Sequence, residues 1–212
     1  SNGVTGSGVI NQIGAGTTTL TNTNSAAGGT NVTGGILAVN GTLTSNVLVT
    51  SPGTLWGNGT ITGTVSGNGT FSPGNSPGTM TIVGAFNPSG TVNLEVNSPW
   101  TTPGTDFDRY NVTGSVTRSG ATLNFPNALD TSAPSTLQML TLINNDGTVD
   151  STTAAAGPVD GALVTIGSRT FRLFYNGEDG NNVVLVEATT PTVVLAMACA
   201  VPTTPESDDK NS

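Results

Sequence analysis

Along the first half of the chain, threonine or asparagine alternates with single valine, isoleucine, leucine or phenylalanine residues in short bursts. A two-residue period sends one side chain toward a core and the next toward solvent, the pattern of a half-buried β-strand. Glycine, asparagine and Ser-Pro pairs punctuate the bursts. Glycine and asparagine tolerate positive φ, and proline fixes φ while donating no hydrogen bond, so the chain turns at each. A triplet of glycine, threonine and an apolar residue recurs at Gly41-Thr42-Leu43, Gly53-Thr54-Leu55, Gly59-Thr60-Ile61, Gly63-Thr64-Val65, Gly69-Thr70-Phe71, Gly78-Thr79-Met80 and Gly90-Thr91-Val92. The stretch Gly69–Ile82, GTFSPGNSPGTMTI, holds two Ser-Pro-Gly steps.

Strands this short and this often interrupted suit either a sandwich or a solenoid. Charge separates the two. From Ser1 to Leu94 no residue is ionisable, and only 8% of the whole chain is Asp, Glu, Lys or Arg. The outer faces of a sandwich meet water and tolerate Lys and Glu. In a β-helix each coil lies about 4.8 Å above the last, so like residues stack. Ladders of Thr or Asn satisfy one another there, whereas ladders of charge repel. The expectation is an all-β fold, a parallel β-helix with a C-terminal capping β segment. Coils of roughly 20 residues predict eight or nine of them and a rod on the order of 40 Å.

Three regions follow. Residues 1–94 read as uncharged solenoid repeats. Residues 95–188 read as later coils and capping strands, with charge entering at Glu95, Asp106, Asp108, Arg109 and Arg118. Within them Pro99–Val112 reads as a loop leading into a strand, Leu137–Ile143 as a longer strand, and Gly161–Ala188 as three strands joined by turns. Residues 189–212, rich in Pro, Thr and acid, are expected to form a mobile tail. The apolar run Val193–Val201 has about half the length of a membrane-spanning helix, so no membrane insertion by this segment is expected. A net charge of −8 argues against nucleic acid, which selects clustered Lys and Arg.

Several stretches resemble the autotransporter-associated β-strand repeat. Thr17–Leu43 (TTTLTNTNSAAGGTNVTGGILAVNGTL) looks like one repeat unit, and Gly67–Ile82 is similar to the Ser-Pro-Gly-Asn-Ser-Pro-Gly-Thr segment of such proteins. Phe107–Phe125 and the segments from Thr141 to Asp150 and from Phe171 to Leu185 are similar to those that end these β-helices. The resemblance implies a structural or adhesin-like passenger segment of a bacterial extracellular or cell-surface protein, with glycans or a neighbouring cell surface as partners. The chain ends at Lys210-Asn211-Ser212 without the amphipathic strands of an outer-membrane barrel. The expectation is therefore a barrel beyond this segment or a relative held by other means.

Candidate chemistry is sparse. The chain has no histidine and one cysteine, Cys199, so neither a Ser-His-Asp triad nor a Cys/His metal site is expected, and no cofactor. Asp106 and Asp108, sharing a strand face at i and i+2 beside Arg109 and Tyr110, are either the carboxylates of a polysaccharide-degrading enzyme or an ordinary acidic loop. Trp56, Trp100, Phe107 and Tyr110 are candidates for stacking on sugar rings, the carbohydrate-binding alternative, or for plugging coil ends and corners. GEDGNNVVL at Gly177–Leu185 resembles a calcium-binding nonapeptide, but Glu178 and Asn182 replace its second Gly and its ligand Asp. A structural glycine turn is the simpler reading there.

Overall fold

The computed structural model describes all residues except 1–2, 98, 119, 127–138, 147–151, 155–158, 168, 179 and 189–212. Among the described residues there is no helix, and parallel strands stack into a three-sided β-solenoid. Its walls are three sheets of ten, seven and six strands, and each coil adds one strand to each wall. The six-stranded wall sets the number of complete coils, fewer than the eight or nine expected. At roughly 4.8 Å per rung, the stack rises roughly 30 Å.

The registers show why the sequence repeats. On the first wall Leu43, Ile61, Ile82 and Val112 lie one above another inside, while Thr42, Thr60, Thr81, Asn111 and Asn144 stack on the outer face. On the third wall Leu37, Leu55, Phe71, Val92 and Leu123 form the inner ladder, with Thr54, Thr70, Thr91 and Thr122 beside it. The Gly-Thr triplets at Gly53, Gly69 and Gly90 therefore coincide in space. The N–H of Thr70, Thr91 and Thr122 donates to the carbonyl of Gly53, Gly69 and Gly90 in turn, at 2.9–3.0 Å. A Cβ on Gly69 would lie 2.6 Å from the Gly53 carbonyl oxygen, so no side chain fits where consecutive corners touch. The triplet at Gly78 breaks the pattern, because Thr79 pairs with Arg109 and Thr81 takes the ladder position over Thr60.

Asparagines also stack: Asn31 donates to Asn11 at 3.0 Å, and Asn124 to Asn93 at 2.8 Å. Inside, Phe86 meets Phe71 edge-on at 5.6 Å and Tyr110 at 4.7 Å, filling the middle of the core. Early coils take about 18 residues, as in the step from Asn40 to Asn58. Later ones lengthen, and Asn111 to Asn144 spans 33. The last parallel strand of the first wall, Met139–Asn145, pairs with Arg109–Val112 on one edge and antiparallel with Asn182–Glu187 on the other. Arg169–Gly177 and Ala162–Ile166 continue that antiparallel sheet and close the end, as the sequence pattern anticipates. The expected tail at 189–212 lies outside the described residues.

Position in the ladder sets the effect of a substitution. Leu55→Ala, at a fully buried rung, is expected to lower unfolding free energy by about 2–5 kcal/mol. Leu48→Ala, 45% exposed on the outer face of the second wall, is expected to change it by less than about 0.5 kcal/mol. Urea unfolding of the pair checks the inside–outside register, and equal losses would overturn it.

Candidate functional site

Three of the five residues singled out from sequence, Trp100, Asp106 and Asp108, belong to one excursion of the chain, and a fourth, Tyr110, lies in the strand that follows it. Between the strands Thr91–Asn93 and Arg109–Val112, the chain leaves the solenoid and returns. Its two limbs pair antiparallel: Val96 bridges Phe107, the Asn97 N–H donates to the Asp106 carbonyl at 2.7 Å, and the Asp108 N–H donates to the Glu95 carbonyl at 2.9 Å. The expected loop leading into a strand is present, with Arg109–Val112 as that strand.

The two aspartates do not form a pair facing solvent. Both are buried, and neither lies in a regular strand. The Asp106 carboxylate accepts from the N–H and hydroxyl of Thr101 and the N–H of Thr102, all through Oδ2, and so ties the tip of the excursion. Burial raises its pKa, but those three donors win and hold it below the usual aspartate value. Asp108 is turned elsewhere. Its Oδ1 accepts from the Gly78 N–H at 2.7 Å and its Oδ2 from the Glu95 N–H at 2.9 Å. It thus joins the base of the excursion to the Ser-Pro-Gly loop beneath it. That loop is pinched: a Cβ on Gly74 or Gly78 would overlap the other's Cα, which explains the paired glycines of GNSPG. Burial pushes Asp108 up to about 7, against the two N–H donors and with help from the neighbouring Glu95 charge.

The aromatic candidates divide. Tyr110 is fully buried in the core beside Phe86, with Met80 and Ile143 on neighbouring rungs. Trp100 is buried too; its ring meets Phe171 of the cap edge-on at 5.5 Å, and the Arg169 guanidinium lies 4.8 Å above its centroid. Arg169 is also paired with Glu187, so Trp100 clasps the excursion to the cap. Neither ring presents a face to a sugar, a correction to that part of the stacking expectation. Trp56 differs. It follows the inner Leu55, stands on the outer face of the third wall, half-buried, and is flanked on neighbouring rungs by Ala38 and Ser72. Its small neighbours leave it the one candidate ring of the five residues with an accessible side.

Two further features bear on binding. A shallow groove of about 300 Å³ on the second wall is lined by Asn31, Asn46, Leu48, Thr64 and Ser66, with no charged group. The turn that resembles a calcium-binding nonapeptide is a hairpin between Arg169–Gly177 and Asn182–Glu187. Its Glu178 carboxylate accepts from the Thr141 hydroxyl and the Asn182 amide. Among the described residues no group of three or more His, Cys, Asp or Glu side chains is gathered to hold a metal. The residue that sequence reading passed over is Arg118, fully buried at the cap, donating to the Tyr175 hydroxyl at 2.9 Å and lying 4.5 Å over its ring. Burial lowers its pKa. Only its place in a Val-Thr-Arg strand, where Val and Arg share the inner face, signals this beforehand.

The Asp108 shift has a definite sign. A carboxyl raised in the folded state binds more protons folded than unfolded, so its contribution is full below pH 3.8 and is lost as pH rises through about 7. Melting temperature should fall from pH 5 to pH 8, as roughly 2–3 kcal/mol of this group's contribution is lost across that window. Asp108→Asn should flatten that dependence; a wild-type slope that survives the substitution overturns the assignment.

No family model matches the chain, and no curated protein matches it.

Proposed function

We propose that this chain is a structural, adhesin-like segment exposed on the outside of a bacterial cell, a rod with an uncharged first half that sets distance rather than a site that performs chemistry. The observation that carries the reading is the uncharged outer ladder Thr42–Thr60–Thr81–Asn111–Asn144, one wall of a stack whose length grows rung by rung. Such a wall resists non-specific ionic adsorption, and backbone hydrogen bonds join its rungs, as from the N–H of Thr42, Thr60 and Thr81 to the carbonyls of Asn22, Gly41 and Gly59. The two aspartates offered for glycan cleavage are committed to fastening the excursion, which favours a structural use for them. The resemblance of Thr17–Leu43 and Gly67–Ile82 to autotransporter-associated repeats supports the extracellular setting.

A carbohydrate-binding reading rests on Trp56 with its small flanking residues, where an indole offers a stacking face to a pyranose ring. The two readings separate experimentally. Antibody against the purified chain is expected to label intact host cells; labelling only after permeabilisation overturns the surface role. On a glycan array the structural reading expects no binding. A saturable signal that falls at least tenfold in Trp56→Ala, with melting unchanged, replaces it by the binding-module reading.

A further inference from the structure

The outer face of the first wall carries two parallel rows of small, neutral side chains. One row runs Thr23, Thr42, Thr60 and Thr81, each paired with the one on the rung before it. Two residues along, a second row runs Ser25, Thr44, Thr62 and Val83 in the same unshifted register. Thr44, Thr62 and Val83 are exposed, and Thr42, Thr60 and Thr81 are half-buried. Between the rows Leu43, Ile61 and Ile82 turn inward and are fully buried, which anchors the strands from beneath. Each of these four strands is paired on both edges, so the face does not depend on what lies beyond either end of the stack.

Strand geometry fixes the dimensions of this grid. Rungs lie about 4.8 Å apart, and residues i and i+2 of one strand lie roughly 6.7 Å apart. Threonine and valine are β-branched and stiff at χ1, so their outer groups repeat with the backbone. The rows hold no charge and no aromatic ring. Arg109, paired with Thr79 beside the first row, is the first ionisable group on this wall. A sugar ring is gripped by an aromatic face and an anion by Lys or Arg, and neither handle is offered here. What fits is a neutral solid whose surface repeats at the rung spacing.

Crystalline water is such a solid. Hydrogen bonds of about 2.75 Å, joined tetrahedrally, build a lattice that repeats about every 4.5 Å in one direction and 7.3 Å in the perpendicular one. Along four rungs the mismatch with the grid accumulates to about 1 Å, less than half of one such bond. Each threonine offers a hydroxyl that both donates and accepts, beside a methyl that holds no water of its own. An ammonium in its place is strongly hydrated and keeps a shell that the lattice must displace. We infer that the outer face of the first wall is an ice-binding surface, with the pairs Thr42–Thr44 and Thr60–Thr62 at its centre. Neither partner carries charge, so contact desolvates no ion. Register and neutrality carry this assignment, whatever the protein's place in or on the cell.

The gap between the freezing and melting points of a single ice crystal in a solution of the full chain tests it, together with partition of labelled protein into growing ice. A gap and uptake into the ice are expected, both lost in Thr62→Lys and both retained in Leu48→Lys on the second wall. Circular dichroism and melting should match the unsubstituted chain, since Thr62 is exposed; if Thr62→Lys melts early, Thr44→Tyr carries the comparison. No gap and no uptake at any soluble concentration would overturn the proposal. So would a gap that survives both Thr62→Lys and Thr44→Tyr. Binding to crystalline cellulose or chitin above freezing in place of ice, lost with the same substitutions, would assign the face to a solid glycan instead.

Discussion

Vertical register is the constraint on which the molecule depends. Each coil must place its strands so that N–H groups reach the carbonyls of the coil beneath, and the side chains then have no choice of neighbour. Thr70 over Thr54 and Leu55 under Phe71 follow from one alignment, not from separate preferences. Along such a ladder a charge would stand about 4.8 Å from its own copy on the next rung, so neutral amides and hydroxyls are the stable choice. The same alignment forces glycine at corners such as Gly69, where the backbone of the preceding coil occupies the space of a Cβ.

Charge enters where the strict repeat ends. The excursion between Asn93 and Arg109 lengthens its coil and makes its own antiparallel pairing, so its carboxylates answer to local donors instead of ladder neighbours. Asp106 fastens its tip and Asp108 its base. The cap is tied in by the same means: Trp100 lies against Phe171, and Arg118 against Tyr175. Each contact joins a residue of the later coils to the antiparallel sheet, so the cap is held through side chains as well as through the edge of Met139–Asn145. Arg118 is a costly choice for such a place, because burying a guanidinium is offset only in part by one hydrogen bond and a ring face.

The fold was legible because its signal is local and repeated. Alternation and turn chemistry marked the strands, and the absence of charge over residues 1–94 separated stacking from a sandwich. The number of coils was not legible, since the excursion and the cap consume residues without adding complete rungs. For the site, the sequence marked the right segment and missed the direction of its side chains. An i, i+2 spacing places Asp106 and Asp108 on one face only if the backbone is a regular strand, and here it is a turn at one and a return at the other. Tyr110 and Trp100 were misjudged for a related reason. With few aromatic residues in the chain, the wide middle of the core and the seam beneath the cap take these rings, and composition alone does not say which remain outside.

That competition for rings bears on function. Phe71, Phe86 and Tyr110 stack inside, and Trp100 and Phe171 close the cap, all at positions where removing a ring would leave a cavity. Trp56 stands apart, because its inner neighbours Leu37, Leu55 and Phe71 already fill the third wall's ladder without it. An indole held half-buried beside Ser72 and the fully buried Ala38 on an outer face keeps one side open to solvent. Of the aromatic residues among those the sequence offered for recognition, it is the one that is not buried.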